Sequence, residues 1–273
     1  MKKIKALAFD IDGTILESGK TLFDYPQFLN DLSELLAKGI YITAITNNTY
    51  IRQSVRLVTP LRKALQKIGK ENCMNFFSLY VSAGRCKIGF DEKSHAYFDE
   101  KYNKIGCVFS LQDVEDVRSV LKEIFFMKIF PEVYWASLET FRSKNIYLEL
   151  RGIEEKNEIF QINLRPLDRD LNLRQKIKEK IETKIKDKPL YFNLHAEYSM
   201  DISLSRKERA IRDFICQNNL LAQDVIYFGN EFHFSEDFEG NDRSVLEVEN
   251  VVCKDVNTMG GVKGMHKLIM SWS

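Results

Sequence analysis

Apolar residues gather in short runs through the first ~80 positions, and each run ends abruptly in polar residues. Ile4 to Phe9 is continuous and stops at two carboxylates, Asp10 and Asp12. Such a run suits a strand covered on both faces. Asp24 to Lys38 places Phe28, Leu32, Leu35 and Leu36 on one helical face and stops at Gly39. Ile40 to Ile45 predicts a second strand, Tyr50 to Ile68 a basic helix, and Phe76 to Val81 a third strand. Strands interleaved with helices predict a mostly parallel sheet.

The pattern changes between about Gly84 and Glu197. It predicts a helix over Asp113 to Phe126, strands near Ile146–Leu150 and Phe160–Leu164, a Lys/Glu-rich helix over Leu171 to Lys186, and a strand near Leu190–Leu194. The charged segment from Glu154 to Glu158 predicts a solvated hairpin tip. After that the first rhythm returns: a helix over Glu208 to Cys216, strands over Val225–Phe228 and Val248–Cys253, and a helix over Val262 to Met270. The reading is an α/β fold, a Rossmann-like doubly wound core with an inserted α+β cap. The core is expected from residues 1–84 and 198–273, and the cap from 85–197. No internal repeat or low-complexity tract interrupts this scheme.

Composition narrows the function classes. Basic and acidic residues nearly cancel, 40 against 39, so nothing asks for nucleic acid or an anionic membrane. No apolar run approaches the roughly 20 residues of a membrane span. A cleaved leader would remove the first strand and its carboxylates, so none is expected. The five cysteines are odd in number and scattered, which fits reduced thiols in a cytoplasmic protein. The expected oligomeric state is a monomer or homodimer.

The chemistry starts at Asp10-Ile11-Asp12-Gly13-Thr14. Ligand sites in open α/β sheets lie at the carboxyl ends of strands. Two carboxylates there, before a glycine that permits a tight turn, can hold a divalent cation and attack phosphorus. This segment resembles the first motif of the haloacid dehalogenase superfamily, D-x-D-G-T, as its phosphate-transferring members carry it. The resemblance implies Asp10 as nucleophile, Asp12 as general acid and base, Mg²⁺ as cofactor with the Asp12 backbone carbonyl among its ligands, and Thr14 as a brace.

The remaining motifs follow in order. Thr46, at the end of the second strand, matches the residue that donates to the phosphoryl group, and Asn47 adds a second donor. Lys207 matches the cation that offsets the charge of the carboxylates and phosphate, with Arg206 as its rival. The fourth motif departs from the family. Its first carboxylate is replaced by Asn230, whose amide oxygen can ligate a cation but brings no charge. Asp242, in Gly240-Asn241-Asp242, becomes the expected acidic ligand or ligand-orienting residue. Glu231, Glu236 and Asp237 are substitutes, and Phe232-His233-Phe234 is an alternative packing segment.

The position of the cap resembles the large α/β-cap, Cof-like subclass, which holds sugar phosphatases and the eukaryotic phosphomannomutases. Leu150-Arg151 and the stretch from Asn163 to Arg169 echo the mutases' arginine pattern, and Ser199-Met200-Asp201 echoes their S-x-D. By that resemblance Arg151, Arg165 and Arg169 would grip a non-reacting phosphate, while Ser199 and Asp201 contact the sugar. Arg142 or Lys144 stands near where another arginine would fall. By this resemblance three functions stay open: a Mg²⁺-dependent phosphohydrolase whose partner is a small phosphorylated metabolite, a sugar phosphate foremost, a phosphomannomutase-like transferase, and a non-catalytic sugar-phosphate binder.

Overall fold

The computed structural model of the chain describes residues 5–126, 131–136, 145–167, 170–193, 199–233 and 240–272. Two sheets organise it. The first contains β1 (Ala6–Phe9), β2 (Tyr41–Ile45), β3 (Phe77–Val81), β4 (Cys86–Phe90), β5 (Ala96–Phe98), β11 (Val225–Gly229) and β12 (Val252–Asp255), in the order β12-β11-β1-β2-β3-β4-β5. The second contains β6 (Glu132–Trp135), β7 (Tyr147–Ile153), β8 (Glu158–Arg165), β9 (Tyr191–Asn193) and β10 (Met200–Ser203), in the order β6-β7-β8-β10-β9.

From β12 to β3 the first sheet is parallel, so these strands end on one edge. Ala6 to Phe9 is fully buried because β1 lies centrally between β2 and β11, with apolar layers on both sides. On one side Leu7 and Phe9 join Phe28, Leu32 and Leu36 of α1 (Pro26–Ala37). Across the sheet Ala6 and Ala8 meet Ala210, Ile211 and Phe214. Those three belong to α7 (Lys207–Gln217), which closes the sequence of α2 (Tyr50–Gln53), α3 (Thr59–Lys67), α4 (Glu100–Asn103), α5 (Leu111–Phe125) and α6 (Leu171–Lys184) and is followed by α8 (Gly261–Met270). A π-helical stretch, Ser54–Val58, joins α2 to α3, so the basic helix expected over 50–68 is nearly continuous.

The second sheet covers one face with α5 and α6. Val117, Val120, Ile177 and Ile181 pack there against Leu148, Ile162, Leu164 and Ile202. The charged tip between β7 and β8 is a short turn, Glu154–Lys156, closed by Asn157 at φ 51°.

The sheet pairing runs across the expected limits of the cap. β4 and β5 lie beyond position 84 yet extend the first sheet as antiparallel strands, and β10 lies beyond 197 yet pairs with β8. Polar residues hid β4. Lys87 interrupts its apolar run and is buried only because Asp99 and Asp213 meet its ammonium at 3.1 and 2.9 Å. The last strand begins at Val252, later than the expected Val248. Among the described residues, no helix is long and apolar enough to cross a membrane, and all five cysteines are free thiols.

Candidate active site

Asp10 follows β1 directly, and its backbone N–H donates to the carbonyl of Phe228 at the end of β11. Neighbouring parallel strands thus bring one loop, residues 10–16, together with residues 230–233 and 240–242 of a second. Gly13 turns the first of them with φ +80°, and a β-carbon at that position would lie 2.6 Å from the Asn230 amide. Glycine is therefore required twice, for the left-handed backbone and for the approach of the second loop.

Lys207 is the first residue of α7, and its side chain is almost wholly buried. Its ammonium sits 2.6 Å from Asp10 Oδ1 and 2.7 Å from Asp242 Oδ1. Burial by itself would lower the lysine's pKa, but the two carboxylates outweigh it and hold the group above the usual lysine range. Asp242 is fully buried and saturated with donors. Tyr227 Oη and Lys207 serve Oδ1, while the backbone N–H groups of Asn230 and Glu231 serve Oδ2 at 3.0 and 2.9 Å. Burial would raise its pKa, yet these donors, Lys207 foremost, keep it below the carboxylate range. Asp10 has Lys207 as its cation, and burial, only partly offset by that lysine, lifts its pKa well above normal. Burial and the adjacent Asp242 also raise the Tyr227 phenol, so it remains a neutral donor.

With both oxygens engaged by the protein, Asp242 orients Lys207 and the Asn230 and Glu231 backbone, which is the orienting half of its expected role. Gly229 makes room for it, since a β-carbon there would stand 2.5 Å from Asp242 Oδ2. Arg206, the rival of Lys207, turns to the surface. It forks onto Glu247 at 2.8 and 2.6 Å and stacks over Tyr191.

Asp12 stands at the more open side, its side chain 35% exposed against 6% for Asp10. Arg56 meets its Oδ1 at 2.7 Å and Asn48 donates to its Oδ2 at 2.7 Å. Arg56 is anchored in turn by the carbonyls of Lys20 and Glu17. Neither Arg56 nor Asn48 was legible as a site residue. Only the basic character of the helix after β2 hinted at Arg56, and nothing in its spacing singled it out.

Thr46 is buried at the end of β2, and its hydroxyl accepts from the Asn48 N–H at 3.1 Å. Asn47 reaches the second sheet. Its amide is 3.4 Å from Asp201 Oδ2, and its carbonyl accepts from Arg151 Nη1 at 2.7 Å. Arg151 also holds Glu149 at 2.8 Å and lies 3.6 Å from Asp201. Asp201 is fully buried and accepts from Asn163, while Arg165 donates to Asn163 and stays partly exposed. Ser199 is buried just before β10. Phe232 is buried and packs edge-on to Tyr227, as the packing alternative for that loop supposed. Arg142, Lys144, Arg169, Phe234, Glu236 and Asp237 lie outside the described residues.

One place in this arrangement fits a hard cation. The inner atom of the Asn230 amide lies 3.3 Å from Asp10 Oδ2, 3.2 Å from the Asp12 carbonyl oxygen and 2.9 Å from Thr14 Oγ1. With its oxygen turned inward and accepting from Thr14, Asn230 stands from Asp10 Oδ2 and from the Asp12 carbonyl at close to the ~3 Å edge of an octahedron with Mg–O bonds of about 2.1 Å. Turned by 180°, the amide nitrogen donates to the same oxygens. The donor set is one carboxylate, one main-chain carbonyl and one amide. Among the described residues, no three His, Cys, Asp or Glu side chains form a metal cluster.

No protein-family model matches the chain, and no curated protein matches it. Solved structures do. An IMP-bound, N-terminally truncated IMP-nucleotidase of Plasmodium falciparum superposes with a TM-score of 0.68 at 15% identity, covering 99% of this chain and 69% of that one. SMU.1108c of Streptococcus mutans UA159 gives 0.63 at 14% identity, covering 99% of both chains. A Eubacterium rectale protein gives 0.58 at 13%, again covering 99% of both. The fold, a Rossmann-like core with a second α+β sheet, is the haloacid dehalogenase-like fold that the first motif implied.

Proposed function

We propose that the protein is a Mg²⁺-dependent phosphatase that hydrolyses the phosphate monoester of a small metabolite, a sugar phosphate by preference, through an aspartyl-phosphate on Asp10. The observation that carries this reading is the buried Asp10–Lys207–Asp242 group at the end of β1. One ammonium lies between two carboxylates there, with Asp10 facing the more open Asp12 side.

The roles follow from position. Asp10 attacks phosphorus and forms the new P–O bond while the ester P–O bond breaks. Asp12, in its acid form, gives its proton to the departing alkoxide oxygen. The resulting Asp12 carboxylate then takes a proton from water as the water oxygen attacks phosphorus. The bond to Asp10 breaks, and inorganic phosphate leaves. Lys207 offsets charge on Asp10 and on the phosphoryl oxygens, and the Thr46 hydroxyl, held in place by the 46–48 turn, donates to one of those oxygens. Mg²⁺, when held by Asp10, the Asp12 carbonyl and Asn230, supplies positive charge that draws in the phosphate and favours ionised Asp10.

The IMP-nucleotidase neighbour, whose name describes action on a nucleoside monophosphate, supports a small monophosphate as the substrate class. The mutase reading needs arginines to hold a second phosphate, and Arg151 is already engaged by Glu149, Asp201 and Asn47. Hydrolysis is therefore the better-supported outcome. The test is phosphate release from a panel of sugar phosphates with Mg²⁺, beside conversion of mannose 1-phosphate to mannose 6-phosphate. Release without mutase activity, lost in Asp10→Asn, is expected. Release that survives Asp10→Asn sinks the mechanism, and conversion dependent on a bisphosphate activator favours the mutase.

A further inference from the structure

Gln161, on β8, has no exposed surface, and neither its Oε1 nor its Nε2 has a hydrogen-bond partner among the described residues. Its place in the sheet is specific. Gln161 pairs with Arg151 on β7 and with Ser203 on β10. The register shifts between Arg151 and Gly152, and the strand changes sides there. Ile159 packs with the second sheet's own apolar cluster, while Phe160 packs with the core of the first sheet. Alternation then places Gln161, Asn163 and Arg165 on the face opposite Ile162 and Leu164. Arg151, cross-strand from Gln161, reaches down that face to the Asn47 carbonyl at the end of β2. Gln161 thus stands on the side of the cap that meets the catalytic strand ends.

The neighbouring polar groups on this face are spoken for. Asn163 is bonded to Asp201 and Arg165, Arg151 to Glu149 and Asn47, and the Ser203 hydroxyl to the Ser205 carbonyl. A buried amide with neither atom paired is costly, and an apolar side chain of similar shape would stabilise the empty protein. A bound group that satisfies the amide accounts for its presence.

We infer that the Gln161 amide is a specificity-determining contact for the non-phosphate part of the substrate, and that it hydrogen-bonds a neutral hydroxyl. An amide offers a donor and an acceptor, and a hydroxyl matches both. The adjacent guanidinium of Arg151 is already neutralised, so this point of the roof does not call for a second anion. The inference rests on the phosphatase reading above and deepens it toward polyhydroxylated monophosphates.

Three measurements on Gln161→Met and Gln161→Leu test it. The first is thermal unfolding without ligand. The second is steady-state hydrolysis of p-nitrophenyl phosphate, which has no hydroxyl, against ribose 5-phosphate, glucose 6-phosphate and mannose 1-phosphate. The third is the Tm shift that the same sugar phosphates give, which needs no turnover. The expected result is a ligand-free Tm equal to or above that of the wild type. KM for the best sugar phosphate should rise about tenfold or more and its Tm shift should shrink, with kcat/KM for p-nitrophenyl phosphate within about twofold. A lower ligand-free Tm with unchanged KM would assign the amide to a structural water and overturn the proposal. Equal losses on all substrates would overturn it too. A wild type inactive on every phosphate ester, yet with a Tm shift that depends on Gln161, would defeat the phosphatase reading and leave this contact standing.

Discussion

Lys207 decides the chemistry at the scale of single residues. Its ammonium lies within 2.7 Å of two buried carboxylates, so removing it leaves both uncompensated. Lys207→Met should lower unfolding free energy by about 3–5 kcal/mol and activity by at least ~10³-fold. Urea unfolding and phosphate release read the two effects separately. Activity within tenfold of wild type would remove Lys207 from the mechanism. In the proposed cation site Asn230 contributes an amide where the related motif has a carboxylate. Asn230→Asp adds a charge to the ligand set and should tighten Mg²⁺ by about tenfold. It should also destabilise the metal-free protein, since a carboxylate cannot donate to Asp10 and the Asp12 carbonyl as the turned amide can. Titrating Tm with Mg²⁺ checks both, and equal Mg²⁺ responses in the two proteins would contradict the assignment.

At the scale of elements, the loop from β11 to Asp242 is held by close approaches. A β-carbon on Gly240 would stand 2.0 Å from the Glu231 carbonyl, so Gly240→Ala should displace the 231–242 contact and with it Asp242. Activity loss beyond about tenfold, with most of the fold retained by circular dichroism, is the expected outcome. On the cap, α5 starts with a reciprocal cap: Ser110 accepts from the Asp113 N–H, and Asp113 accepts from Ser110. Ser110→Ala should cost about 1 kcal/mol. Burial tends to raise the Asp113 carboxyl, but Lys188 and the Ser110 donors lower it overall. A carboxylate more acidic in the folded state stabilises above its unfolded pKa of about 3.9 and loses that contribution as pH falls through the folded value. The Tm gap between wild type and Asp113→Asn should therefore be constant near neutrality and close below about pH 4. A gap that widens on acidification would reverse the sign.

At the scale of the whole molecule, polar contacts join the second sheet to the catalytic edge. Arg151 bridges the two, bonding Glu149 in the cap and the Asn47 carbonyl in the core, with Asp201 beside it. Burial would lower its pKa, but Asp201 and Glu149 raise it further, so the guanidinium is a fixed charge. Arg151→Met should destabilise by about 3–5 kcal/mol, because fully buried Asp201 loses its guanidinium neighbour. Amide exchange should quicken in β7, β8 and β10. Unchanged exchange there would mean that the apolar packing of Phe160 alone fixes the cap.

The central strands and most helices were legible because apolar spacing reports burial, and the parallel strands β11, β1, β2 and β3 are mostly buried. β4 was not, since Lys87 reads as solvent-facing until Asp99 and Asp213 are brought to it from 12 and 126 positions away. Residues 10–14 and 46, with the fourth-motif amide, could be placed from their local order alone. Local order follows from where the chain turns, and these turns come straight after buried runs. The sequence by itself therefore determined the strand-end setting of Asp10 and Asp12 and the amide at position 230, and the role of nucleophile came to Asp10 only by resemblance. Only tertiary structure decided that Lys207 rather than Arg206 reaches Asp10, that Asp242 meets the same lysine, and that Arg56 and Asn48 hold Asp12. It also buried the Gln161 amide without a hydrogen-bond partner among the described residues. Each of these depends on which side chains become neighbours once distant segments pack. Pairing of buried charges across such distances leaves no periodic mark along the chain.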